Sequence, residues 1–78
     1  PELEAAYAGK VERLPLVIAG AKVKEVIRID GVKLLLEDDS WMLFRKSGTE
    51  PVVRLYGEAS TEIRLNEVMA AGRRFILG

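Results

Sequence analysis

Apolar residues at Leu3, Ala6, Tyr7, Val11 and Leu14 open the chain, a spacing close to the i, i+3, i+4, i+7 pattern of an amphipathic helix. The pattern predicts a helix over 1–14, with Pro1 suited to its first turn and Gly9 costing it about 1 kcal/mol. Pro15 and Gly20 then bracket "LVIA", which fits either irregular chain or a short strand. From residue 22 the texture changes. "KVKEVIRID" is rich in β-branched side chains, which favour strand, but Val23 and Val26 fall on opposite parities and the alternation is imperfect. Asp30-Gly31 is a strong hairpin signal, leading into a second strand, "VKLLLED". Asp38-Asp39-Ser40 makes the next turn, into "WMLFRK". A loop around Ser47-Gly48-Thr49 then leads to a fourth strand, "VVRLYGEA". Along that strand Val53, Leu55 and Ala59 share one face, while Val52, Arg54, Tyr56 and Glu58 share the other.

The last segment returns to helical spacing. Leu65, Val68, Met69, Gly72, Phe75 and Ile76 form one apolar stripe. Ser60 or Thr61 suits the N-cap, and Glu62 early with Arg73-Arg74 late complements the helix dipole. The expected architecture is α+β, a four-stranded antiparallel sheet with a helix before and after it covering one face.

Composition narrows the chemistry. The 78 residues suit a single domain, which buries roughly 60% of its unfolded surface. Twelve basic and twelve acidic residues cancel, which argues against a general nucleic-acid or anionic-membrane binder. There is no Cys and no His, so thiol nucleophiles, disulfides, Cys/His zinc sites and imidazole catalysis are all removed. No window is apolar enough to cross a membrane, and the N-terminus lacks a signal-peptide layout. The expectation is a cytoplasmic protein without nucleic-acid or membrane partners. Because the chain starts at Pro1 and enters helix at once, it is expected to be a piece of a longer polypeptide.

The loop "RKSGTEPVVR" is the chemical centre of the sequence. Ser47 and Thr49 offer hydroxyl donors. Gly48 permits a positive φ and a close backbone approach, so that successive amides can converge on an anion. Pro51 stiffens the exit. Arg45 and Arg54 flank the turn from neighbouring strands, and guanidinium forks match phosphate oxygens. Together these describe a phosphate clamp with no nucleophile or proton-transfer group, built to bind a phosphate and not to cleave it. The same residues also fit ordinary turn chemistry, with Arg45 and Arg54 pairing to Glu50 or Glu58 across strands.

"RKSGTEPVVRLYGEA" resembles the Arg-x-Ser-Gly-Thr-Glu-Pro signature and following Arg-x-Tyr-x-Glu strand of the α-D-phosphohexomutases: the phosphoglucomutases, phosphomannomutases and phosphoglucosamine mutases. The resemblance runs over roughly residues 30 to 75, through "DGVKLLLEDDSWMLF" to the last helix. It implies the C-terminal domain, of TATA-binding-protein-like fold, of a four-domain enzyme. In that family this loop holds the substrate phosphate that is not being transferred, and the domain closes the cleft. The phosphate contacts implied are Arg45, Ser47, Gly48 and Thr49. Arg54 is a weaker candidate whose side chain is expected on the sheet face, and Lys46, often proline in the family, is expected to be solvated. The resemblance further implies a phosphoserine on another domain and a magnesium ion held by a domain absent here, with no cofactor in this one. The partners implied are a hexose phosphate and the other domains of the same polypeptide, and the fragment alone is expected to be inactive. The alternative is a non-catalytic module using its sheet face for nucleic acid or a protein partner. Trp41, Tyr7, Tyr56 and Phe75 are expected to serve packing.

Overall fold

The computed structural model describes residues 2–48 and 52–77. Helix α1 covers Glu2–Glu12, and strands follow as β1 (Val17–Ile18), β2 (Ala21–Ile27), β3 (Val32–Leu36), β4 (Trp41–Lys46) and β5 (Val53–Glu58), with helix α2 over Glu62–Leu77. The strands form one antiparallel sheet in the order β1-β2-β3-β4-β5. The α+β class is therefore as expected, but the sheet has five strands instead of four. The additional strand is β1, paired to β2 through Val17 opposite Lys22 and Ile18 opposite Ala21. Its turn, Ala19-Gly20, takes positive φ at both positions (54° and 72°), the requirement of a tight hairpin turn. An alanine there costs about 1–2 kcal/mol, so the pair lacks the Asn or Asp before glycine that marks such a turn in sequence. The Ala19 carbonyl accepts a hydrogen bond from Arg64 Nη1 at 2.7 Å, which ties the turn to α2.

Strand β2 resolves the faulty alternation of its sequence. Val23 lies opposite Leu36 and Val26 opposite Leu34, with a register shift between Val23 and Glu25. One extra residue switches the parity, so both valines face the side of the sheet carrying Leu34 and Leu36. The Asp30-Gly31 hairpin forms through a longer loop, since pairing resumes at Ile27 opposite Lys33. Gly31 has φ 126°, and a Cβ on it would collide with the Phe44 carbonyl oxygen. Only glycine fits there.

Both helices cover the same face. Val32, Leu34, Leu36, Met42 and Phe44 are buried on it with Val68, Ala71 and Ile76 of α2, and Tyr7, Val11 and Leu14 pack against this cluster. The Phe44 and Phe75 rings meet at 5.6 Å between centroids, and Tyr7 donates from its hydroxyl to the Phe44 carbonyl at 3.3 Å. The expected stripe of α2 holds over Leu65–Ile76 and that of α1 at Tyr7 and Val11, but α1 ends at Glu12, two residues short of the expected 1–14, and Leu14 packs on the core from beyond it; the Leu3 and Ala6 side chains lie outside the described residues. Thr61 is the N-cap, its Oγ1 accepting from the Arg64 amide at 3.0 Å. Arg64 also donates to Asp38 Oδ2 at 2.7 Å, so one guanidinium joins α2 to the β1–β2 and β3–β4 turns.

Strand pairing leaves the other face to Lys33 and Leu35 of β3, Trp41, Leu43 and Arg45 of β4, and Arg54, Tyr56 and Glu58 of β5. No helix among the described residues covers it. Trp41 is held there by Lys33 Nζ, 4.3 Å from its ring centroid, and by its Nε1 donating to Glu58 Oε1 at 3.0 Å.

Candidate functional site

The register of β4 and β5 builds the site. Leu43 lies opposite Tyr56, Phe44 opposite Leu55, Arg45 opposite Arg54 and Lys46 opposite Val53. The Ser47 amide donates to the Val52 carbonyl at 3.0 Å, closing the loop so that the two arginines stand as direct cross-strand neighbours on the helix-free face. Residues in that relation have Cβ atoms roughly 4.5–5.5 Å apart. Arg45, Lys46, Ser47, Gly48, Arg54 and Tyr56 together line a hollow of about 190 Å³.

The electrostatics of this hollow are one-sided. Arg45, Lys46 and Arg54 line it and no described carboxylate does. Among the described residues neither Arg45 nor Arg54 has an ion-pair or hydrogen-bond partner. Glu58, the cross-strand partner considered from sequence, accepts from Trp41 instead; Glu50 lies outside the described residues. Like charges directly opposite on a sheet destabilise it. Two arginines so placed are electrostatically incomplete, and an anion with several acceptor oxygens completes them.

The sequence-predicted residues thus fall as follows. Arg45, Ser47 and Gly48 are brought together, and Thr49 lies outside the described residues. Arg54 does lie on the sheet face, but that face is the wall of the hollow, so it stands beside Arg45 and not away from the loop. Lys46 is exposed and also lines the hollow. Gly48 does not use the positive φ that glycine permits, and a Cβ on it would meet nothing within 4 Å among the described residues. Among the described residues, packing therefore gives no reason for glycine at this position. The Ser47 amide is committed to Val52, so the notion of several convergent loop amides loses that donor. Tyr56, expected to serve packing, was missed as a lining residue. Counting register back from the loop would have placed it, because Tyr56 shares the parity of Arg54.

A basic hollow of this kind does not suit magnesium, which takes carboxylate and phosphate oxygens. Among the described residues no three acidic groups converge elsewhere to hold a metal. No helix among them is long and apolar enough to cross a membrane.

Comparison with known proteins bears directly on this loop and its surroundings. The family model of the phosphoglucomutase/phosphomannomutase C-terminal domain matches residues 3–74. A probable phosphoglucosamine mutase of Methanosphaera stadtmanae is 46% identical over 54 residues, covering 69% of this chain and 12% of the relative. A phosphopentomutase of Thermococcus kodakarensis is 48% identical over 48 residues, covering 62% of this chain and 11% of the relative. From the same organism, a phosphoglucomutase/phosphomannomutase is 36% identical over 59 residues, covering 76% and 13%. The chain spans about an eighth of the length of these relatives. With nearly its whole length matched, the chain belongs to the family of phosphoglucomutase/phosphomannomutase C-terminal domains.

Proposed function

We propose that this domain binds the phosphate of a sugar phosphate at the hollow between β4 and β5, as one part of a phosphohexomutase. The observation that carries the reading is the uncompensated cross-strand pair of Arg45 and Arg54 beside Ser47 and Gly48. A dianionic phosphoryl group supplies the missing charge and accepts from both guanidinium forks, in bidentate fashion where geometry allows. The bare Gly48 leaves room for an oxygen to approach the loop backbone. Thr49, next along the chain, is the further hydroxyl donor in this reading.

Such a site reads a phosphate and ignores the carbon that bears it. That suits a reaction in which hexose 1-phosphate and 6-phosphate interconvert through a bisphosphate, because either end must occupy the same clamp in turn. The relatives carry names for glucosamine, pentose and glucose or mannose phosphates, which supports a phosphate-reading role shared across different sugars. The phosphoserine, the magnesium ion and the sugar-reading groups then come from the other domains of the polypeptide, in the cytoplasm. Gripping a phosphate that those domains also hold draws this domain over the cleft and excludes water. By itself it transfers nothing. In the full-length enzyme, Arg45→Ala should lower kcat/KM by roughly 100-fold or more, the scale of a lost charged positioning contact. Wild-type kinetics from that variant would overturn the reading.

A further inference from the structure

The two tyrosines of this chain are used differently. Tyr7 commits its hydroxyl to the Phe44 carbonyl and its ring to the core. Tyr56 is 42% exposed on the helix-free face, and its hydroxyl has no hydrogen-bond partner among the described residues. It lies two residues from Arg54 on the same face of β5 and opposite Leu43, so it is the diagonal neighbour of Arg45. Diagonal neighbours on a sheet are within reach of long and aromatic side chains. Arg45, Arg54 and Tyr56 therefore make a triangle beneath the loop, and all three line the same hollow.

We propose that Tyr56 is a further binding residue of this site, its phenol hydroxyl donating a hydrogen bond to an oxygen of the bound phosphoryl group. The inference rests on the phosphate reading above and adds a donor that the loop signature does not contain. The two arginines supply charge from neighbouring strands, and Ser47 approaches from the loop. Tyr56 approaches from the sheet side, on the face of β5 that carries Arg54. Its ring, cross-strand from Leu43, is two rotatable bonds from the backbone, so holding the hydroxyl in place costs little side-chain entropy compared with a lysine or glutamine there. A phenol adds a donor without adding a third like charge beside Arg45 and Arg54.

The test is a titration of the 78-residue chain with inorganic phosphate, followed by amide resonances and by tyrosine ring carbons labelled at Cζ. Tyr56→Phe keeps the ring and its packing and removes the hydroxyl alone. The expected result is a phosphate affinity weakened by roughly 10-fold or more, the scale for one hydrogen bond to a charged acceptor, with amide dispersion and Tm unchanged. In the wild type the Tyr56 Cζ resonance should move with phosphate and the Tyr7 resonance should stay. This second readout needs no variant and does not respond to a merely structural role. Unchanged affinity in Tyr56→Phe, or a Tyr56 Cζ resonance that ignores phosphate, overturns the proposal while leaving the arginine clamp standing. If Arg45→Gln binds phosphate as the wild type does, or the wild type binds none, the clamp fails and the Tyr56 proposal fails with it.

Discussion

Charge removal at Arg54 should separate stability from binding, because the account gives the two effects opposite signs. Arg54→Gln keeps a polar stem on the exposed face of β5 and removes the charge opposite Arg45. Without ligand this relieves a like-charge pair worth about 0.2–1 kcal/mol. At about 4–8 °C per kcal/mol for a domain this size, Tm should hold or rise by about 1–8 °C. With ligand the variant loses a charge-assisted contact worth about 1.5–3 kcal/mol, a weakening of roughly 10- to 150-fold. Taking a wild-type Kd of roughly 1 mM, 10 mM phosphate stabilises the folded chain by about 1.4 kcal/mol, or about 6–11 °C. A tenfold weaker variant gains only about 0.4 kcal/mol. Differential scanning calorimetry at low ionic strength, where screening is least, with matched sodium chloride as the control, reads both effects. The reasoning is refuted if Arg54→Gln melts lower than the wild type without ligand and gains as much from phosphate.

Other expectations concern the ligand's charge and the frame that holds the site. For glucose 1-phosphate, binding should tighten as the pH rises through the ester's second pKa, about 6, while the arginines stay charged; calorimetric titrations at pH 5 and 7.5 that agree would contradict this. Asp38 accepts from the Ser40 hydroxyl and amide and from Arg64, which together hold its carboxyl at about 2, below its ordinary 3.8. The folded value is the lower one, so its contribution is complete above about pH 4 and is lost as the pH falls toward 2. With the side chain 41% exposed, screening leaves about 1 kcal/mol or less. Acid melting curves of Asp38→Asn should accordingly be flatter over that window than those of the wild type. Gly31→Ala should cost about 2 kcal/mol or more through its backbone conformation and the clash with Phe44; a drop in Tm under about 3 °C would show that the loop relaxes freely.

Much of the fold could be read from side-chain spacing because one sheet face and one stripe of α2 are buried. Leu34, Leu36, Met42 and Phe44 are fully enclosed, and their period-2 pattern in β3 and β4 is unbroken. Strand β1 stayed ambiguous because it is two residues long and its turn places Ala19, with no Asn or Asp, at positive φ. The broken parity of β2 is a bulge at Lys24, whose Nζ reaches Asp39 Oδ1 at 2.7 Å. In the site, Arg45, Ser47 and Gly48 were legible as neighbours along the chain. The standing of Arg54 and Tyr56 depends on cross-strand register, which local composition does not encode. Once the Ser47–Val52 hydrogen bond fixes that register, both follow by parity.

The most direct trial of the phosphate clamp is to add inorganic phosphate to the 78-residue chain and follow every backbone amide by two-dimensional NMR. The account predicts saturable shifts concentrated at residues 45–48, 54 and 56, lost in Arg45→Gln and weakened by added salt. No shifts with phosphate, or shifts scattered over the helix-free sheet with duplex DNA instead, would contradict it.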